Sequence, residues 1–380
     1  MYEMNTKMIE DMFYKLKRLI EDNVFAGGRV ILFSTNQMAG MCIYYLRSNN
    51  IYTEGIVDNS FEKKSKIAYG VKVYNPDEYL SVFDDRIKVI IVSYFAEEMT
   101  KQLEQMGYVK NRHIFILVDD YRTKSVSIPE GYIKMDEAEK KPALLNILRK
   151  YDDICRKNGL RYTLAYGTLI GAVRHKGFIP WDDDIDVLMP IDDLKILTEI
   201  CESNETDNFS VASIFSNHTD YYDLLAAGMD ISYVSYYTRI PQGVGGLPID
   251  IFPLIGVPEE EEERNKYLDE LKSLEMSSYV NFNDKSTMEQ LRSKCRKIVF
   301  KYPYDCSKWV TSISHAEFLI GPYNRELFED RTECLYETEL FWIPENYEDI
   351  LRLNYGNFWE LPPKEKRIST HEHLTFKRDV

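Results

Sequence analysis

Long apolar runs are missing from this 380-residue chain, and so are paired cysteines and a basic surplus. No stretch approaches the roughly 18 uncharged apolar residues a bilayer-spanning helix needs. Met1–Asp22 is charged and periodic rather than built like a leader peptide, so the expectation is a cytoplasmic protein with no transmembrane segment. The six cysteines (Cys42, Cys155, Cys201, Cys295, Cys306, Cys334) are scattered without the close pairs of a zinc site or a disulfide framework, and free thiols are expected. With 47 basic against 62 acidic side chains the net charge is −15, which argues against nucleic acid as a partner. It leaves room for a nucleotide substrate whose phosphates are met locally by a metal.

Hydrophobic residues make up 44% of the chain, enough for two cores at the usual domain size. Residues 4–21 have a helical period. Arg29–Phe33, Tyr52–Val57, 87–93 and His113–Val118 read as buried strands, with helices near 38–49 and 97–106 between them. Strands alternating with helices predict a parallel, doubly wound sheet over residues 1–122. The turn after the first strand, Ser34-Thr35-Asn36-Gln37-Met38-Ala39-Gly40, lacks the first two glycines of a dinucleotide fingerprint. Asp58 sits at the distance from which a carboxylate holds a ribose. NAD binding is therefore one reading, and a structural or small-ligand Rossmann-like module the preferred one.

Residues 123–141 read as a linker. A helix is expected from about Pro142, in the first turn, to Asn158, stopped by Gly159 and burying Leu144, Leu145, Leu148, Tyr151, Ile154 and Cys155. A short strand (160–166), a short helix (168–174), a strand (184–189) and a helix (192–203) follow. Aromatic-rich strand material (209–240), a strand (247–254) carrying Asp250 and an acidic-headed helix (259–279) come next. The remainder is expected to be mostly helical.

The segment Gly167–Met189, GTLIGAVRHKGFIPWDDDIDVLM, carries the chemistry. Asp182, Asp183, Asp184 and Asp186 crowd together just before an apolar run, and like charges so close need a cation or solvent between them. An EF-hand reading fails because Val187 stands where glycine is needed and Asp193 where a bidentate glutamate is usual. In Asp184-Ile185-Asp186-Val187, alternation puts two carboxylates on one face of a strand. That is a seat for Mg²⁺ or Mn²⁺, with Asp182 and Asp183 supporting or solvated. Gly167 and Thr168 begin a helix whose free N–H groups can hold a phosphate. Asp250 points away from Ile249 and Ile251, either to complete the metal site or to take the proton of an attacking hydroxyl. Arg174, His175 and Lys176 either meet a diphosphate or are solvated. Trp181 either fixes the loop or contacts a base. His371 and His373 are a metal pair or exposed tail residues. Tyr221, Tyr222, Tyr233, Tyr236 and Tyr237 are an aromatic cage for a quaternary ammonium or ordinary strand residues.

Together the run YGTLIGAVRHKGFIPWDDDIDV, LPIDIFPL and LNYGNFWELPP resembles the LicD family of phosphorylcholine and related transferases, relatives of the fukutin-type ribitol-phosphate transferases, over about residues 142–380. The resemblance implies a polymerase-β-like nucleotidyltransferase fold of α+β type, with Asp184, Asp186 and Asp250 as metal ligands. It also implies a CDP-linked donor, release of CMP, and a glycan or lipid-linked saccharide acceptor at the inner membrane face. Such chemistry belongs to lipopolysaccharide or capsular polysaccharide decoration. Two other classes stay open: a nucleotidyltransferase that leaves a nucleoside monophosphate on a small acceptor, and a nucleotide-sugar-binding protein without catalysis.

Overall fold

The computed structural model describes residues 2–61, 66–93, 95–118, 130–203, 208–217, 226–236, 245–281, 284–312, 320–364, 367 and 374–379. They form two compact units, one of Glu3–Val126 with Met276–Asn281, the other of Ser127–Glu275 with Phe282–Val380 and the first two residues. His371, His373, Tyr221, Tyr222 and Tyr237 lie outside the described residues.

In the first unit helix α1 (Tyr2–Glu21) precedes β1 (Arg29–Phe33), α2 (Gln37–Ser48), β2 (Thr53–Val57), β3 (Ile67–Ala68) and β4 (Val71–Tyr74). Then come α3 (Pro76–Tyr79), β5 (Ile87–Ile91), α4 (Ala96–Gln105) and β6 (Ile114–Ile116). The strand order is β3-β4-β2-β1-β5-β6, parallel throughout except for the β3–β4 hairpin. The parallel sheet expected from sequence is present, with β4 added because its four residues are too short for a periodic signal. Asp58 is engaged within the protein. Its Oδ2 accepts from the Thr35 amide (3.0 Å) and hydroxyl (2.7 Å), and its Oδ1 from the Ser60 amide (2.7 Å). Tyr69 donates to the Asn36 carbonyl (2.9 Å) and packs against Gly40, covering the first turn of α2 where a pyrophosphate would lie.

The second unit opens with β7 (Tyr132–Lys134) and α5 (Glu137–Asn158). β7 and the first residues of α5 fall within the stretch expected to be linker. Asp136 and Glu139 form a reciprocal capping box that starts α5 five residues before Pro142, so the proline sits inside the helix rather than in its first turn. Gly159 ends it in the left-handed region (φ +67°), which favours glycine. The expected apolar face is buried, with Ile147 added.

Next come β8 (Thr163–Leu164), α6 (Tyr166–Ile170) running into a π-turn over Gly171–His175, β9 (Asp186–Pro190), α7 (Ile191–Ser203) and β10 (Phe209–Ala212). They are followed by β11 (Ala226–Tyr236), β12 (Gly245–Val257), α8 (Glu261–Asn281) and α9 (Lys285–Val299). The chain beyond α9 is not the mostly helical part expected. It supplies β13 (Trp309–Ser312), β14 (Ile320–Asn324), the hairpin β15–β16 (Arg331–Tyr336, Glu339–Pro344), α10 (Tyr347–Tyr355) and β17 (Leu374–Arg378). These strands are short, and in β15 and β16 burial does not alternate cleanly, so no local period announces them.

The long strand β12 organises this unit. It takes β11 and β13 antiparallel and β9 parallel, while β8 pairs with β9, β17 with β11, and β7 with β17. Alternation sorts the side chains of β9 and β12 onto two faces. Val187, Met189, Ile249 and Ile251 enter the main core with Ile185, Tyr151 and Leu148. Leu188, Phe252 and Leu254 enter a smaller core with Tyr166, Tyr304, Tyr323 and Ile350. Each fully buried aliphatic of this kind stabilises the fold by about 1.5–3 kcal/mol. Burial on both faces therefore clamps the two strands at one register.

Candidate functional site

That register places the carboxylates. Asp186 is the Cα partner of Asp250 across the parallel β9–β12 pair, on the sheet face of Leu188 and Phe252, and both residues are 8% exposed. The Asp250 amide donates to the Ile185 carbonyl (2.8 Å), and the Asp186 carbonyl accepts from the Ala165 amide (3.0 Å). The Asp186 amide donates to Oγ1 of buried Thr168 (2.9 Å), which ties α6 to the start of β9.

Asp184 lies just outside β9, in the irregular segment 182–185, rather than on the strand. Asp182, Asp183 and Asp184, all half-buried, each bring an oxygen within 4.8 Å of the others. The structure thus draws Asp182 and Asp183 into one group with Asp184. The two sets of carboxylates share a field. Burial first, then Asp182, Glu337, Asp184 and Asp186, push the buried Tyr336 phenol far up. The Tyr355 phenol is pushed up by burial of its ionisable end and then by Asp186, Asp182 and Asp184 among its neighbours, although 46% of the residue's surface is exposed.

Gly167 sits in the first turn of α6, where a Cβ would lie 2.6 Å from Asp182 Oδ2. The acidic loop therefore packs directly onto that turn, and the position read as a phosphate seat already has a carboxylate beside it. Tyr166, with φ +42°, begins the turn in a conformation rare for an aromatic. Its ring meets Phe252 edge-on at 4.7 Å and its hydroxyl shares a hydrogen bond with Ser312.

The loop between the π-turn and β9 is fastened from several sides. A Cβ at Gly171 would lie 2.5 Å from the Gly177 carbonyl, so the crossing needs glycine. Glu337, at the tip of the β15–β16 hairpin, accepts from the Phe178 amide (2.9 Å) and donates its own amide to the Lys176 carbonyl (2.8 Å). Lys141 donates to the carbonyls of Ile179 (3.3 Å) and Pro180 (3.2 Å) and lies over the Phe178 ring. Trp181 packs against the main core with the Arg367 guanidinium 5.4 Å from its ring centroid, as expected for a residue that fixes the loop.

Arg174 is half-buried and engaged within the protein. It donates to the Phe358 carbonyl and, through Nε, to His175 Nε2 (2.9 Å), so it pins the LNYGNFWELPP segment beside the loop. Burial pulls its basicity down, and burial with the Arg174 charge lowers His175 as well. Lys176 caps the π-turn in the left-handed region. Tyr233 packs against the main core as a strand residue. All six cysteines are free thiols.

Sequence reasoning missed Lys141, Glu337, Tyr336 and Tyr355. The first three carry no local signal. Tyr355 lies in a motif noted above for its resemblance alone. A separate cavity of about 130 Å³ beneath Leu188, Pro190 and Leu254 is ringed by Arg161, Arg325 and Arg331. Arg161 already pairs with Asp193 and Asp305, Arg325 with Glu329, and Arg331 lies against Trp342.

Two buried carboxylates opposed across neighbouring strands within the sheet, with an acidic loop fastened beside them, define a class. Residues 159–285 match the family described as LicD/FKTN/FKRP, nucleotidyltransferase domain, which supports a LicD-type domain in that part of the chain. Over 270 residues, 63% of this chain and 97% of the relative, it is 24% identical to the lipopolysaccharide cholinephosphotransferase LicD of Haemophilus influenzae. It is also 33% identical over 106 residues, 28% of this chain and 8% of the relative, to Mannosyltransferase regulator 4 of Saccharomyces cerevisiae. An uncharacterized Rickettsia prowazekii protein is 34% identical over 100 residues, 26% of this chain and 38% of that one. No helix among the described residues is long and apolar enough to cross a membrane.

Proposed function

We propose that the chain transfers a substituted phosphate, phosphorylcholine or a related alditol or amino-alcohol phosphate, from a CDP-linked donor to a saccharide hydroxyl, releasing CMP. The observation that carries this reading is the Asp186–Asp250 register across β9 and β12. The likeness to a lipopolysaccharide cholinephosphotransferase, which spans 97% of that protein and 63% of this chain, supports it. On this reading the acceptor is a glycan or lipid-linked saccharide, and the enzyme works at the inner face of the membrane without spanning it.

The donor set is all oxygen, which suits Mg²⁺ or Mn²⁺. Asp184, Asp186 and Asp250 would hold the ion, and the clustering of Asp182 and Asp183 with Asp184 extends the set. When bound, the divalent ion would neutralise charge on the donor diphosphate. The chain's own residues do the rest. Thr168 fixes the Asp186 backbone, and Lys141 and Glu337 hold the acidic loop at one position. Asp250 either completes the oxygen set or accepts the proton of the acceptor hydroxyl. Arg174, already engaged by Phe358, positions the neighbouring segment, which leaves Lys176 as the cation of the trio for phosphate.

The test is CMP release from CDP-choline, CDP-ribitol, CDP-glycerol and CDP-ethanolamine with and without Mg²⁺ or Mn²⁺. Release that needs the metal and disappears in Asp184→Asn and Asp186→Asn is expected. Full turnover in Asp184→Asn refutes the assignment. The family's description keeps nucleotidyl transfer as a second reading, and product mass separates the two. Only nucleotidyl transfer leaves a nucleoside monophosphate on the acceptor and frees pyrophosphate.

A further inference from the structure

The end of α10 and the turn after it expose side chains that usually seek cover. Leu353 is 67% exposed, Tyr355 46%, Trp359 47% and Leu361 43%. Gly356 turns the chain at φ +65°, and the turn is held by the Phe358 amide on the Gly356 carbonyl (3.1 Å) and the Glu360 amide on the Asn357 carbonyl (3.2 Å). Phe358 is an anchor, 3% exposed in the main core, and its ring lies 4.9 Å from that of Trp359 at 35°. Trp359 is thereby backed by a buried ring while half its own surface stays open. Beside it is a cavity of about 320 Å³ lined by Arg352, Gly356, Asn357, Phe358 and Trp359.

The cavity is tied to the segment that leads into the carboxylates, because Arg174 of the π-turn donates to the carbonyl of Phe358, one of its lining residues. Tyr355, one residue before the turn, is reached by the charges of Asp186, Asp182 and Asp184. Its walls decide what fits. Arg352 pairs with Glu348 at 3.1 Å, so little net charge is offered to a diphosphate. A quaternary ammonium favours aromatic faces without a guanidinium beside them. A hexopyranose has an apolar C–H face for an indole and a rim of hydroxyls for an amide and a guanidinium. Clefts for small molecules start at roughly 300 Å³, room for one ring.

We propose that this cavity is the acceptor subsite, seating a sugar ring on Trp359 with Asn357 and Arg352 at its hydroxyl rim. The assignment rests on the reading that the acceptor is a saccharide. It is tested by calorimetric titration of the full chain, without donor or metal, with delipidated lipopolysaccharide core oligosaccharide and with lactose. The wild type binds the core oligosaccharide or lactose. Affinity falls at least about tenfold, or ~1.4 kcal/mol, in Trp359→Ala and Asn357→Ala, while Trp359→Phe keeps part of it. Calorimetric binding of CDP-choline with Mg²⁺ is unchanged in all three. No binding of either saccharide by the wild type overturns the proposal, as does equal affinity in Trp359→Ala and Asn357→Ala. An equal loss of CDP-choline affinity overturns it too, by marking the cavity as part of the donor site. A failure of the transfer reading shows separately, as no CMP from any CDP donor while saccharide binding persists.

Discussion

Replacing Thr168 by valine keeps the branched shape and removes one hydroxyl oxygen. That oxygen accepts the Asp186 amide at 2.9 Å in a position where Thr168 is 2% exposed, so water cannot readily take its place. A buried amide that loses its acceptor costs about 1–3 kcal/mol. In a unit of this size each kcal/mol moves the melting temperature by roughly 2–4 °C, giving an expected fall of about 2–12 °C. Scanning calorimetry reads the shift, and hydrogen exchange of the peptide spanning residues 183–190 locates it, since the loss should appear there first. Because Asp186 is released from its anchor, CMP formation from CDP-choline should fall by about tenfold or more, as misplaced reacting groups commonly do. Thr168→Ser, which restores an acceptor, should recover most of both. A Thr168→Val protein that melts within about 1 °C of the wild type, with unaltered exchange over 183–190, would refute the reasoning.

Three further outcomes can be checked. Gly171→Ala forces a methyl to 2.5 Å from the Gly177 carbonyl, and because backbone rather than a side-chain tip must yield, a loss of about 1–3 kcal/mol is expected in urea unfolding. Lys141→Met keeps the stem on Phe178 but drops the bonds to Ile179 and Pro180, a loss of about 1 kcal/mol from the loop. It should raise the Mg²⁺ concentration for half-maximal CMP release by roughly fivefold, with Lys141→Arg restoring it and no change counting against the loop's role. For His175 the folded protein holds a lowered basicity, so below its ordinary range the unfolded chain binds the proton more readily. The His175 contribution is fully present above about pH 6.5 and is lost as the pH falls through the lower folded value. Denaturation midpoints measured from pH 7.5 to 5 should fall less steeply in His175→Gln, and parallel profiles would contradict the assignment.

What the sequence made legible follows from the range of the interactions involved. The first unit's parallel strands carry their own apolar runs, and α5 its own period, because burial there is set locally. Asp186 and Asp250 were each readable as carboxylates on a strand because both lie in alternating segments with apolar neighbours, whereas Asp184, read as the strand partner of Asp186, lies just before β9. The start of α5 was misread because the capping signal at Asp136 and Glu139 lies inside charged, linker-like residues, and Pro142 looked like a first-turn proline. The strands after α9 were missed because they are short and, in β15 and β16, burial does not alternate cleanly. The contact of Arg174 was not legible either: a guanidinium beside an acidic motif suggests a phosphate, and only the fold brings Phe358 to it.

The β9–β12 register has an evolutionary consequence. A one-residue shift of either strand would set a carboxylate opposite Ile249, Ile251, Ile185 or Val187 and turn the pair into a buried mismatch. Insertions or deletions inside either strand are therefore forbidden. The connection between the two strands is restricted in its own way, because β11 within it is paired in register with β12 and sets Ala227 beside Asp250. Only the stretches joining α7, β10, β11 and β12 can change length without disturbing the opposed acidic positions.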